Sequence, residues 1–222
     1  MSAERPAIVS GYNDQVRFDV LPSVPEAAGK VLDVGGGTGA TAAYLKRCGR
    51  ATRAGTVDLA RGDTAHEELD FQHFGDLDDT DFVERVLREE GPFDTILCLD
   101  ILEHLVDPWQ LVARLHDALT PGGVIVASLP NVRHYRVSGA LLFRNRWRLQ
   151  DAGILDRTHL RFFVRSTMIE LLTHSGLTLE QIRAPLPARR RRAVALFRKL
   201  TRGKLDSLIS VRYILRVRRP AS

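Results

Sequence analysis

The stretch VLDVGGGTGA, residues 31–40, decides the reading of this chain: a short apolar strand carrying one acid runs into a cluster of glycines. Glycine lets the backbone turn sharply and lie close to a ligand, and the amides of a following helix point at whatever docks there. Working outward, KVLDV (30–34) is the strand, and ATAAYLKRC (40–48) reads as a helix closed by Gly49. RAGTVD (53–58) and DFQHFGDL (70–77) supply two further strands, separated by a polar stretch with weak helical character. DFVERVLREE (81–90) puts Phe82, Val83, Val86 and Leu87 on one helical face and stops at Gly91; FDTILCLD (93–100) is then a nearly continuous apolar strand. In DPWQLVARLHDAL (107–119), Asp107 is the N-cap, Pro108 the first helical residue and Gln110 completes a capping box. Trp109, Val112, Leu115 and Leu119 form its buried stripe, TPGG turns the chain, and VIVASLP (124–130) is a fifth strand. Strands alternating with helices at this spacing predict an α/β fold, parallel over these strands, with its ligand beyond their carboxyl ends.

The 222 residues suit a single domain, and 44% hydrophobic with 27% charged residues is ordinary for a globular protein. The start has no basic stretch followed by an apolar run, and no segment reaches about 18 apolar residues, so a cytoplasmic protein is expected. Cys48 and Cys98 form neither a close pair nor a CxxC; both read as buried free thiols, and no metal site is expected. The net charge of +5 is uneven. Arg189 to Ser222 carries twelve basic residues against one acid, Asp206, a net +11; the 20 bases and 26 acids before it leave a body at −6. Such a tail suits an anionic partner.

Gly35, Gly37 and Ala40 fit the dinucleotide pattern GxGxxG/A, and Asp58 lies where a ribose-binding acid is expected, so NAD(P)-dependent oxidoreduction is one reading of the loop. Asp33 argues against it: an anion two residues before Gly35 opposes a pyrophosphate and suits a ligand carrying positive charge. With that acid, the stretch resembles motif I, D/ExGxGxG, of class I S-adenosylmethionine-dependent methyltransferases, matched by Asp33, Gly35, Gly37 and Gly39, with Gly36 where cysteine or serine is often found. The resemblance extends over roughly residues 28 to 180. It implies that Asp58 holds the ribose hydroxyls with Leu59 against adenine, and that Asp76 and Leu77 read the adenine edge. LDILEHLVDP (99–108) is similar to the segment after strand four in methyltransferases of ubiquinone biosynthesis and related groups, with Asp100, Glu103 and His104 in the usual places. The family fold is a Rossmann-like seven-stranded sheet, order 3-2-1-4-5-7-6, with helices on both faces; LTLEQIRA (177–184) would be strand six and VRYILRVRR (211–219) an antiparallel strand seven. The cofactor expected is S-adenosyl-L-methionine, within a core at 28–130.

Methyl transfer needs the acceptor atom held in line with the methyl group, and a hydroxyl acceptor also needs a base within hydrogen-bond reach. Residues 131–165 form an acceptor-side insert mixing arginine, histidine and aromatics. Its PNV.H start and GILDRTHLRFF end resemble a bacterial methyltransferase subgroup encountered beside polysaccharide and glycan genes, which implies O-methylation of a sugar, glycan intermediate or other small metabolite. Acceptor-side roles fall to His134, Asp156, His159 and Arg161, with His159 the preferred base, Asp156 its orienter or the base itself, and His104 a further candidate. Arg157 and Arg161 could clamp an acceptor carboxylate or phosphate. Each also has a plain structural reading: the histidines as hydrogen-bonders, Asp156 and Arg157 as a pair fixing the insert. A basic insert at 187–210 separates strands six and seven, and residues 189–204 suit either a solvated cap over the pocket or an anionic membrane on the inner face. A third reading, a non-catalytic cofactor-binding module engaging nucleic acid through the tail, has only one basic patch without interleaved aromatics behind it.

Overall fold

The computed structural model describes residues 15–59, 66–185, 201 and 205–221. Seven strands form one sheet: β1 (Gly29–Val34), β2 (Ala51–Asp58), β3 (Phe71–Phe74), β4 (Phe93–Leu99), β5 (Leu119–Pro130), β6 (Thr178–Arg183) and β7 (Arg212–Arg218). Their order is β3-β2-β1-β4-β5-β7-β6, as the resemblance implied. Strands β1 to β5 pair in parallel, while β7 runs antiparallel to both β5 and β6.

The apolar runs are continuous because both faces of the sheet are covered, and their alternation sorts side chains between two cores. Leu32, Ile96, Ile125 and Leu215 enter one core, packed by Val83, Leu115 and Leu171 of the helices α2 (Thr80–Glu90), α3 (Pro108–Asp117) and α5 (Arg165–Thr173). Val31, Leu97, Val126 and Ile214, each offset by one residue, enter the other, against Ala42 and Leu45 of α1 (Ala40–Arg47) and Val20 ahead of a 3-10 turn at Leu21–Ser23. Asp79 caps α2, accepting from the amides of Asp81 and Phe82; Asp107 caps α3, accepting from the Gln110 amide at 3.0 Å. No helix among the described residues is long and apolar enough to cross a membrane.

Three local expectations change. TPGG does not separate a helix from a strand: β5 starts at Leu119 and absorbs these residues as an irregularity opposite Phe93–Thr95. Leu119 is therefore a strand residue, and Trp109 is half-exposed, resting against Phe163 at 6.1 Å rather than joining the buried stripe. Cys48 is exposed at the end of α1, whereas Cys98 is buried in β4. The insert contains α4 (Tyr135–Arg144), and a short α6 (Asp206–Ile209) precedes β7. Of the basic segment 189–204, all but Thr201 lies outside the described residues.

Candidate cofactor and acceptor site

Because β1, β2 and β4 are parallel, their carboxyl ends bring Asp33, Asp58 and Asp100 to one edge of the sheet, where ligands of such folds sit. Between β1 and α1 the loop needs glycine: Gly35 has φ of 69°, and a Cβ there would stand 2.4 Å from Ile101 Cγ1. The Gly35 amide donates to the Val57 carbonyl (2.7 Å) and the Gly37 amide to Asp58 Oδ2 (2.7 Å), which draws the loop onto the end of β2.

Asp33 lies beneath this loop, so close that a Cβ on Gly36 would meet its Cγ at 2.6 Å. It is 1% exposed, and among the described residues its Oδ1 has no hydrogen-bond partner. Burial, and then the charge of Asp58, push its carboxyl up to about 7. A buried acid that the charge of Arg17 only partly offsets, under a bare loop, fits a ligand that brings positive charge, as a sulfonium cofactor with an α-ammonium does. Asp58 ends β2 with the half-exposed Leu59 beside it. Asp76 Oδ1 accepts from the Asp78 amide (3.0 Å) in a turn after β3, and Leu77 packs against the core.

Asp100 adopts φ of 55° directly after β4. Its Oδ2 accepts from Arg17 (2.6 Å) and Arg212 (2.9 Å), and its Oδ1 from the Ser128 hydroxyl (2.5 Å). Arg17 also pairs with Asp19 (2.9 Å), and its backbone amide donates to Thr41 Oγ1 on α1. Burial opposes the Arg17 charge, but the hydrogen bond to Asp19 and the charge of Asp100 outweigh it and raise the pKa. Neither arginine stood out in the sequence: they belong to no motif, and 112 residues separate Asp100 from Arg212.

On the acceptor side, a 3-10 turn (Leu102–His104) after β4 meets the insert. The Glu103 carbonyl accepts from the amides of Leu160 (2.8 Å) and Arg161 (3.0 Å), which seats His159 above the turn. His159 Nδ1 lies 3.2 Å from the Ile154 carbonyl; a carbonyl only accepts, so Nδ1 carries the proton and Nε2 keeps a lone pair. Nε2 is 4.0 Å from Glu103 Oε1, and the His104 ring stands edge-on to His159 at 4.7 Å. Burial lowers both histidines, His104 further through the neighbouring His159. Glu103 is 1% exposed with Oε2 unpartnered among the described residues, and burial followed by the Asp100 charge lifts it well above the carboxylate range. The three residues offer ligand atoms within 4.8 Å of one another, a grouping that could also hold a cation and that spacing in the sequence did not reveal.

Asp156 accepts from the Thr158 amide (2.8 Å) and hydroxyl (2.7 Å), fixing the turn that presents His159. Burial opposes its ionisation, but the Thr158 hydrogen bonds win and lower its pKa. Arg157 pairs with Asp151 (2.5 Å), not with Asp156, and Arg161 donates to the Val106 carbonyl, tying the insert to the segment after β4. His134 caps α4, with Nδ1 accepting from the Arg136 amide at 3.4 Å. Among the described residues no hydrogen bond, ion pair or ring contact joins His134 to the Glu103, His104 and His159 group.

The sheet order, with antiparallel β7 between β5 and β6, is that of the class I S-adenosylmethionine-dependent methyltransferases, and the acid under the loop suits their cationic cofactor better than a pyrophosphate. A family model described as a methyltransferase domain matches residues 12–182; the chain belongs to this family of S-adenosylmethionine-dependent enzymes. The dinucleotide reading of the loop gives way to that membership. Over 181 residues the chain is 32% identical to a ubiquinone biosynthesis O-methyltransferase of Xylella fastidiosa, a match covering 75% of this chain and 68% of that protein. It spans about a quarter of the length of one other curated relative and about half of another. A crystal structure of an S-adenosylmethionine-dependent methyltransferase from Mesorhizobium loti superposes with a TM-score of 0.59 at 20% identity, covering 90% of this chain and 96% of that one. The N-methyltransferase NodS of Bradyrhizobium japonicum, crystallised with S-adenosyl-L-homocysteine, gives 0.52 at 17% identity, covering 87% and 79%. At such identities the structural likeness carries the fold alone.

Proposed function

We propose that the protein methylates an oxygen of a small hydroxylated acceptor, a sugar, glycan intermediate or other metabolite, held against Glu103, His104 and His159. The observation that carries this reading is the contact of His159 Nδ1 with the Ile154 carbonyl: a carbonyl only accepts, so a neutral imidazole there presents Nε2 as a proton acceptor. An alcohol needs such a base, whereas a thiolate or free amine needs less help. The name of the Xylella relative is consistent with an oxygen acceptor.

S-adenosylmethionine supplies a methyl group on a sulfonium, open to in-line attack by an oxygen lone pair. The chain's own residues divide the rest. Asp58 accepts from the ribose hydroxyls and Leu59 flanks the adenine, with Asp76 and Leu77 at the adenine edge. Asp33 supplies negative charge below the glycine loop. Arg17 and Asp100, which neutralise each other at 2.6 Å, suit the carboxylate and ammonium of the amino-acid end. His159 takes the hydroxyl proton, His104 and the Asp156 turn orient it, and His134 holds the start of α4.

The test is methyl transfer to a panel of sugars, sugar nucleotides and phenols, with the methylated atom identified by NMR. An O-methyl product whose formation falls by about 10²- to 10⁴-fold in His159→Ala, at unchanged cofactor affinity, supports the assignment. N-methylation, or full turnover without His159, removes it.

A further inference from the structure

The insert leaves an apolar surface that the methyl-transfer site does not use. Leu142 and Phe143, at the end of α4, are 76% and 82% exposed, and Leu141, Trp147 and Leu149 are each nearly half exposed. The arm that carries them is well tied down. Asn145 closes α4 at φ of 48°, the Arg146 amide donates to the Ala140 carbonyl, and Trp147 stands edge-on to Phe162 at 5.1 Å. Beyond it, the Gln150 amide donates to the Leu155 carbonyl and the Arg157 amide to the Gln150 carbonyl, which closes the loop. Apolar side chains held outward by ordered backbone mark an interaction surface rather than a failure to pack.

Charge indicates the occupant. Arg144, Arg146 and Arg148 alternate through this arm, and residues 131–163 carry seven arginines against two acids, net +5, inside a body of 188 residues at −6. One of those acids, Asp151, is paired with Arg157. Leucine and aromatic side chains that reach the acyl boundary, with arginines whose stems lie along it and whose heads meet phosphates, describe seating on an anionic bilayer.

We propose that α4 and residues 145–149 form a membrane-surface anchor that docks the protein on anionic lipid. The arm springs from the carboxyl end of β5, the edge that carries the candidate site, so docking brings that site to the bilayer surface. This inference does not depend on which atom is methylated.

Vesicle co-sedimentation of the full chain tests it, with phosphatidylcholine alone and with phosphatidylglycerol added. We expect salt-sensitive binding only to the anionic vesicles. Leu142→Ser with Phe143→Ser should weaken it about a hundredfold, and Arg144→Gln, Arg146→Gln and Arg148→Gln together by a similar factor. Retained S-adenosylmethionine binding certifies the fold of each variant; if the double variant loses it, Phe143→Ser alone carries the test with about a tenfold loss. The proposal fails if neither vesicle binds, if uncharged vesicles bind equally, or if only neutralising Arg189 to Arg192 releases the protein. It also fails if the apolar variant abolishes a lipid-free dimer in sedimentation velocity, since the face would then join two copies of the chain.

Discussion

Asp33→Asn should stabilise the ligand-free protein at alkaline pH and weaken its hold on the cofactor. The folded carboxyl sits at about 7 against an ordinary 3.8. At about 1.4 kcal/mol per unit, ionising it in the folded state costs at most about 4 kcal/mol. The sign follows from proton counting. Below about pH 4 the group is protonated in folded and unfolded chains alike, and the substitution removes no charge. Between about pH 4 and 7 the unfolded chain loses the proton while the folded one keeps it, so wild-type stability declines as pH rises; above about 7 the deficit is constant. Urea unfolding of both proteins from about pH 5 to 9 should show wild type falling away from the variant and levelling off near 7. A cation seated above the loop would draw the proton from Asp33, so cofactor binding below about pH 7 should release a proton, seen as heats that depend on the buffer's ionisation enthalpy. Parallel stability curves for the two proteins would falsify the placement of a buried acid with a raised pKa under the loop.

Asp58→Ala should weaken S-adenosylmethionine binding by about 1 to 3 kcal/mol, about ten- to a hundredfold in calorimetric Kd; an unchanged Kd in a folded variant removes the ribose assignment. Arg17→Met should cost S-adenosylmethionine and S-adenosylhomocysteine equally, about tenfold or more, and leave adenosine unaffected. A loss shared by adenosine would show that Arg17 serves only to hold the N-terminal segment on α1. Because burial lowers the His159 pKa, its neutral base form prevails above the ordinary value of 6.5, and turnover should fall only on the acid side of that value. An acid limb above 6.5 that persists in His159→Ala belongs to another group.

The order of the sheet was legible because burial on both faces leaves apolar runs, and because glycines, caps and prolines mark where those runs stop. The register of β5 was not. TPGG looks like a turn by composition, yet the pairing of Leu119 and Val124 with β4 on either side of it, and the backbone bonds of Gly122 and Gly123 with Arg219, carry the strand through it, a non-local preference that overrides local propensity. Asp33, Asp58 and Asp100 could be placed at one edge from their positions at strand ends. Arg17 and Arg212 could not, since only tertiary folding carries them to Asp100. The same limit applies to the acceptor side: the motifs pointed to Glu103, His104 and His159, while the approach of His159 to Glu103, and the pairing of Arg157 with Asp151, depend on how the insert folds back.

Asp33 and Glu103 are alike in a way that bears on the chemistry. Both are buried acids at the ligand edge, each with a carboxylate oxygen lacking a hydrogen bond among the described residues, and burial raises both above the carboxylate range. Asn or Gln would spare the fold the cost of ionising them, so a sequence tuned to stability alone has no use for either acid. Their neighbours differ. Asp33 faces Asp58 across a loop that only glycine can follow, an arrangement relieved when positive charge arrives from outside the chain. Glu103 faces two imidazoles whose own charging is suppressed by burial, so burial favours the neutral form of all three groups and sets a proton donor beside proton acceptors. One end of the edge thus suits a cation, and the proposed O-methylation asks the other to take a proton.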